Sequence, residues 1–301
     1  MPVLHHGEGE AESRVLRGLR LAVGLSLIIL VLELVGAYFS QSLSLTVDAI
    51  HNVPDILAFA ISWTALRGTK TGSSQVFTFG THRLEVFAGI FNGALVLAAG
   101  LLFGYESVAS LVSHSYFAGE VNAVWLLAVA IPTLALRIAS MSVLGEMPGR
   151  VRDLNLRSVI VHLASDLAIT GALLFAGAVL FLVPVFGWAD PLAALAIAGI
   201  LVWESLPLLK EGWEVLTERV PRGLSAEAIT KSAMAVPGVM EVHDLHVWAV
   251  CSTLVCLTAH VEVGEMSLHE SRGVVEKLRA KMEMEFGILH ATFEVECPCA
   301  S

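Results

Sequence analysis

Two short patterns in this sequence carry chemistry. His51 and Asp55 stand four residues apart, as do His162 and Asp166, and each pair sits inside a long apolar stretch. On a helix that spacing puts an imidazole and a carboxylate on one face, one turn above the other. Two such faces brought together offer two nitrogens and two oxygens, a four-ligand set suited to a tetrahedral Zn²⁺ site. Co²⁺ and Cd²⁺ suit the same set and Ni²⁺ less well, whereas Mg²⁺ or Ca²⁺ would call for oxygen ligands alone. Asp48, one turn before His51, reads as a carboxylate that steadies the ligands or relays protons. Two unrelated His–Asp hydrogen bonds would incur the desolvation cost of buried polar groups twice. One shared metal site accounts for both pairs. Metal binding requires neutral imidazole and ionised carboxylate, so metal and protons displace one another there. An inward proton gradient can then drive metal outward as the site alternates between the two faces of a membrane.

The elements that must position these residues are membrane spans. The chain has 301 residues, of which 55% are hydrophobic and 15% charged, against roughly 25% charged in soluble proteins. Six stretches approach or exceed the roughly 20 apolar residues a spanning helix needs. They are about Leu21–Phe39, Ser44–Ala65, Val86–Val112, Val121–Leu144, Leu156–Val185 and Pro191–Leu209. Alternate connections (40–43, 113–120 and 186–190) lack Lys and Arg, while Arg14, Arg67, Arg83, Arg150 and Lys210 lie on the other side. That asymmetry predicts both termini in the cytoplasm. The first apolar stretch is full length, so it is expected to stay as a span rather than be removed as a signal. A net charge of −10 argues against a nucleic-acid partner.

The rest of the chain reads as a cytoplasmic tail (residues 1–20), a linker (210–221) and a soluble domain (222–301). Ser225 caps a short helix to Ala235, two β-rich runs follow (Val239–Val250 and Leu254–Val263), and Ser267 with Glu270 forms a capping box. The helix it opens runs to about Phe286, and Ala291–Glu296 closes an α-β-β-α-β order. Cys251, Cys256, Cys297 and Cys299 all fall in this domain, where a reducing cytoplasm disfavours disulfides.

The motifs in chain order resemble those of the cation diffusion facilitator family. They are Asp48-Ala49-Ile50-His51-Asn52-Val53-Pro54-Asp55, Phe77-Thr78-Phe79-Gly80-Thr81-His82-Arg83-Leu84-Glu85, Asn155-Leu156-Arg157 leading to His162 and Asp166, Trp188-Ala189-Asp190-Pro191, and His243-Asp244-Leu245-His246-Val247-Trp248. The resemblance implies a six-helix transport domain at residues 21–209 and a ferredoxin- or metallochaperone-like tail that binds regulatory zinc and joins two protomers. It implies His243, His260 and His290 as tail ligands, with Glu296, Cys297, Cys299 and His269 as lesser candidates. His at positions 51 and 162 goes, in that family, with zinc-type rather than manganese-type selectivity. His246 is expected to pack, and Cys251 and Cys256 to be core residues.

Arg137 in the fourth span departs from the neutral polar residue of many relatives and needs an anionic partner among Glu33, Asp48 and Glu106. The sequence thus reads as a membrane exporter of divalent transition metals, zinc foremost, working as a homodimer by proton antiport in a bacterial plasma membrane. An exporter of Co²⁺, Ni²⁺, Fe²⁺ or Cd²⁺ would use the same site. A membrane-anchored metal sensor would not require paired ligands inside the spans. A metal-dependent enzyme would need a nucleophile or an HExxH-type base, and none stands beside these pairs.

Overall fold

A computed structural model describes residues 24–68, 75–115, 121–145, 154–252 and 254–297. The side chains of residues 55, 57–68, 143–145 and 154–163 lie outside that description. The helices that precede the tail are α1 (Gly24–Ser40), α2 (Leu43–Gly68), α3 (Arg83–Ser113), α4 (Ala123–Gly145), α5 (Leu154–Leu182) and α6 (Ala189–Leu216). Of the six expected spans, four are long and apolar enough to cross a membrane among the described residues: Arg83–Ser113, Ala123–Ser142, Ala164–Leu182 and Ala189–Leu216. The described part of α1 is apolar but shorter. α2 is 26 residues long, but Ser44, Thr46, Asp48, His51, Asn52 and Asp55 break its apolar run.

The polarity of these helices is turned inside out relative to a water-soluble bundle. Leu27, Val31, Phe91, Leu101, Leu102, Tyr105, Ile131 and Phe175 point outward, while Glu33, Asp48, His51, Asn52, Thr133, Arg137, Asp166 and Thr170 are buried. That is the arrangement expected where lipid surrounds the helices and polar groups must find partners inside. Leu45, Leu126, Ile169, Leu173, Ile197 and Leu201 fill the space between them. α4 runs along α5, and α2 meets α5. At Gly100 on α3 an added Cβ would come within 3.1 Å of the Ala198 carbonyl oxygen on α6, so the absence of a side chain there lets the two helices approach closely.

One carboxylate fixes the start of α2. Asp190, in the first turn of α6, is buried. It accepts hydrogen bonds from Leu43 N at 2.7 Å, Ser44 N at 3.3 Å, and the hydroxyls of Ser42 and Ser44, each at 2.5 Å. The first amides of any helix lack partners within it. A charge borrowed from another helix satisfies them here, and so sets where the His51 turn stands. The sequence reading ended the last span at about Leu209, whereas α6 runs through Pro207 and on to Leu216. A proline removes one backbone donor, which surrounding groups can compensate in a membrane helix.

The tail has the expected order: α7 (Ala226–Met234), β1 (Val239–Ala249), β2 (Val255–Val263), α8 (Leu268–Phe286) and β3 (His290–Glu296). β1 pairs antiparallel with β2, and β2 pairs parallel with β3. Ser225 caps α7, the Ser267–Glu270 capping box opens α8, and Gly287 closes α8 in the left-handed conformation. Leu257, Ala259, Val261 and Val263 alternate inward along β2 and pack on Ile229, Leu278, Met282 and Phe293. Cys251 and Cys256 are buried. The chain divides into two compact units, Met1–Lys70 with Phe91–Leu208, and Thr71–Ile90 with Leu209–Ser301.

Asp190→Ala is expected to lower thermal stability in detergent by about 1–3 kcal/mol, because it strands buried donors. Leu192→Ala, on an exposed neighbouring side chain, should stay within about 0.5 kcal/mol. Equal melting shifts in the two variants would refute the capping role of Asp190.

Candidate metal centre

α2 and α5 each carry their His–Asp pair one turn apart in sequence, and where the two helices meet, His51 of one faces Asp166 of the other. His51 Nε2 lies 3.6 Å from Asp166 Oδ1, with both residues buried. An imidazole on one helix and a carboxylate on the other therefore share a pocket of protein rather than two separate helix surfaces. Asp55 and His162 complete the two turns by sequence position. Their side chains lie outside the described residues.

Directly behind the pair stands a buried ion network. Arg137 on α4 is 3% exposed, and Glu33 on α1 and Asp48 on α2 are 0% exposed, so water does not screen their charges. One guanidinium nitrogen, Nη2, donates to Asp48 Oδ1 at 2.8 Å and to Glu33 Oε1 at 3.3 Å. The other, Nη1, donates to the Asp166 carbonyl oxygen and to Thr170 Oγ1, each at 2.6 Å. Asn52 donates through its amide to Glu33 Oε2 and, at 3.2 Å, to the Asp48 carbonyl. Arginine suits this place because its planar fork can hold several acceptors at once and does not lose its charge. The guanidinium thus ties α1, α2 and α5 together at the level of His51 and Asp166. Asp48 belongs to this network, and Glu106, the third partner considered for Arg137, is exposed.

A second cluster lies on the face of the tail sheet away from its core. His243 on β1 is the register partner of His260 on β2, and Glu296 closes β3. Ligand atoms of these three residues lie within 4.8 Å of one another. Glu296 reaches His260 Nδ1 at 2.7 Å and His243 Nε2 at 3.4 Å. A one-residue bulge in β1, with Asp244 at φ 48°, separates the His243 and His246 pairings. Aspartate is among the few residues that adopt this left-handed conformation readily. The bulge brings Asp244 Oδ2 within 3.7 Å of His260 Nε2, and Glu294 Oε2 lies at 3.8 Å. Hydrogen bonding to Glu296 is the largest influence on His260 and raises its pKa above the ordinary value of about 6.5. Desolvation, the next largest influence, opposes it, and the charges of Glu296, Glu294 and Asp244 add to the upward shift.

The other tail candidates stand apart from this cluster. His290, at the start of β3, pairs in register with Cys256 and meets the Phe79 ring edge-on at 5.8 Å. His269 is exposed in the first turn of α8, Cys297 is exposed beyond β3, and Cys299 lies outside the described residues. His246 does not pack as expected. The bulge turns it outward, where it pairs with Asp244 at 3.0 Å.

Two sequence profiles cover nearly the whole chain: "Cation efflux transmembrane domain" over residues 19–217, and "Cation efflux protein, cytoplasmic domain" over residues 221–297. The chain belongs to the cation efflux family. It is therefore an integral membrane protein of a family of transporters. It is 30% identical over 284 residues to the metal cation efflux system protein CzcD of Cupriavidus metallidurans, covering 94% of this chain and 87% of that one. It is 26% identical over 294 residues to the "Cadmium, cobalt and zinc/H(+)-K(+) antiporter" of Bacillus subtilis, covering 97% and 91%. It is 24% identical over 283 residues to the human "Proton-coupled zinc antiporter SLC30A8", covering 92% and 75%.

In this cation efflux protein the sequence reading missed the part played by Asp244 and Glu294 in the tail. Each carried a signal: Asp244 sits between two histidines in a strand, and Glu294 lies two residues before Glu296 on the same strand face. Glu296→Gln is expected to bring the His260 pKa back down toward its ordinary value, as read by proton resonances of histidine-labelled full-length protein. The sign follows from the direction of the shift. A raised pKa makes the His260–Glu296 attraction fully present below about pH 6.5, and it is lost as pH rises through the raised value. An unchanged His260 titration in the variant would remove Glu296 as its cause.

Proposed function

We propose that this protein exports divalent transition-metal ions, Zn²⁺ foremost, from the cytoplasm in exchange for protons. His51, Asp55, His162 and Asp166 bind the ion in the membrane. The observation that carries this reading is His51 facing Asp166 across α2 and α5 at 3.6 Å, both buried. Groups that prefer water are held together in an apolar bundle, where a dication gives them a common partner. The relatives named as cadmium, cobalt and zinc antiporters and as proton-coupled zinc antiporters support both the substrate class and the exchange. In this reading all six helices span the membrane, with both termini cytoplasmic, and two protomers associate through the tail domains. The bacterial plasma membrane is the proposed location. His243, His260 and Glu296, the tail group whose ligand atoms converge, bind a regulatory zinc ion. Two imidazoles and a carboxylate leave a fourth position for water or another ligand.

A cycle follows from the chemistry of the ligands. From the cytoplasmic side, neutral imidazoles and ionised carboxylates take the dication and release protons. After the site turns to the far side, protons entering down their gradient compete for the same nitrogens and oxygens and displace the metal. Return of the protonated site completes the exchange. Co²⁺ and Cd²⁺ accept the same donor set, so ranking among these ions depends on how far the pocket adjusts to each one's preferred geometry.

Purified protein in vesicles loaded with a zinc-sensitive dye, with an imposed pH gradient, tests the proposal. The wild type is expected to move zinc against the proton flux. Asp55→Ala and Asp166→Ala are expected to lose at least about 95% of that flux, since each removes one of four ligands, while remaining folded. Full zinc flux in both variants would contradict the site, and a wild type that moves no divalent transition metal would contradict the function.

A further inference from the structure

We propose that Glu33 on α1 is a proton-carrying site of the exchange, distinct from the four metal ligands and coupled to them through Arg137. The inference rests on the export reading above and adds to it a group that takes up and releases a proton without touching the ion.

Charge balance singles out Glu33. Among the described residues, Arg137 is the single cation facing two fully buried carboxylates, Glu33 and Asp48, and it contacts both. Around Glu33, α2 contributes Asp48 and the neutral amide of Asn52, α4 contributes Arg137, and α5 contributes the Asp166 carbonyl on the far side of the guanidinium, with the Asp166 carboxylate, turned toward His51, also acting on Arg137. With both carboxylates ionised the group carries one excess negative charge away from water, which is costly. A proton on Glu33 removes that excess and leaves the Arg137–Asp48 pair balanced. The second oxygen of Asp48, Oδ2, is buried and accepts no hydrogen bond among the described residues. Arg137 Nη2 and the Asn52 amide each bond to both Glu33 and Asp48 and so hold the two residues side by side, where a protonated Glu33 is placed to supply the missing donor.

Arg137 also provides the route of coupling. Arg137 holds Glu33 and Asp48 with one nitrogen, and with the other it holds the backbone of Asp166, the residue that faces His51. When Glu33 is protonated, the guanidinium is less neutralised and disfavours a dication beside it. When a dication binds, it favours the ionised form of Glu33, and the proton leaves to water. The influence is reciprocal, as any linkage between two sites must be. A carboxylate serving only as counter-ion to Arg137 would make no such contribution, because Asp48 already supplies one negative charge.

The test counts protons released per zinc bound, from calorimetric titrations in buffers of different ionisation enthalpy. Full-length protein carrying His243→Ala and His260→Ala, which remove the imidazoles of the tail cluster, confines the count to the membrane site. Glu33→Gln in that background is expected to bind zinc while releasing about one proton fewer, and Glu33→Asp is expected to restore the count. Glu33→Met, which leaves no amide to satisfy, takes the place of Gln if that variant does not fold. An unchanged count in a folded, zinc-binding Gln or Met variant overturns the role of Glu33. A wild type that neither binds nor transports a divalent metal overturns the export reading, and this inference with it.

Discussion

A guanidinium sealed among apolar helices must be neutralised and hydrogen-bonded, or the helices cannot close around it. Arg137 meets that requirement by drawing Glu33, Asp48, Thr170 and the Asp166 carbonyl to itself. Three helices besides its own are thereby fixed in register at one level, and His51 and Asp166 meet at that level. From the other end, Asp190 anchors the first turn of α2 to α6. The ligand turn of α2 is thus located by two electrostatic attachments, one at its start and one beside Asp48. Packing by Leu45, Leu126 and Ile169 fills the remaining space, but it is less directional than these charged contacts.

The tail applies a different rule. Its core is built by alternation along β2 and by α8, whose Val274, Leu278 and Met282 face the sheet. The opposite face of that sheet is left to polar residues, and there register decides which of them meet. His243 opposite His260 is a consequence of antiparallel pairing, whereas Glu296 is brought in by the parallel strand β3. The bulge at Asp244 adds an acidic group on the far side of His260. His260 is consequently bordered by carboxylates from two strands. That environment favours positive charge, whether it comes from a proton or a metal ion.

Much of the architecture was legible in the sequence because hydrophobic length and four-residue spacing are local signals. The helices α2 to α5, the tail order, the capping box at Ser267 and the partnership of Arg137 with Glu33 and Asp48 all follow from composition and the cost of burying charge. The contacts that depend on register were harder to read. Nothing local says that β3 would pair parallel to β2 and bring Glu296, rather than His290, to His260. The outward turn of His246 needs the left-handed conformation of Asp244, one residue that shifts the alternation of the whole strand. The extension of α6 from Leu209 to Leu216 was missed because hydrophobic length marks where a span ends, and the helix carries on beyond it through Lys210, Glu211 and Glu214.

The central claim is that the two His–Asp turns of α2 and α5 hold one metal ion. X-ray absorption at the zinc edge tests it most directly, on full-length protein loaded with one zinc ion after His243→Ala and His260→Ala have removed the tail cluster. The account predicts four nitrogen or oxygen neighbours at about 2.0–2.2 Å with the multiple-scattering signature of two imidazoles, reduced to one imidazole in His51→Ala. Sulfur neighbours, or a spectrum that His51→Ala leaves unchanged, would contradict it.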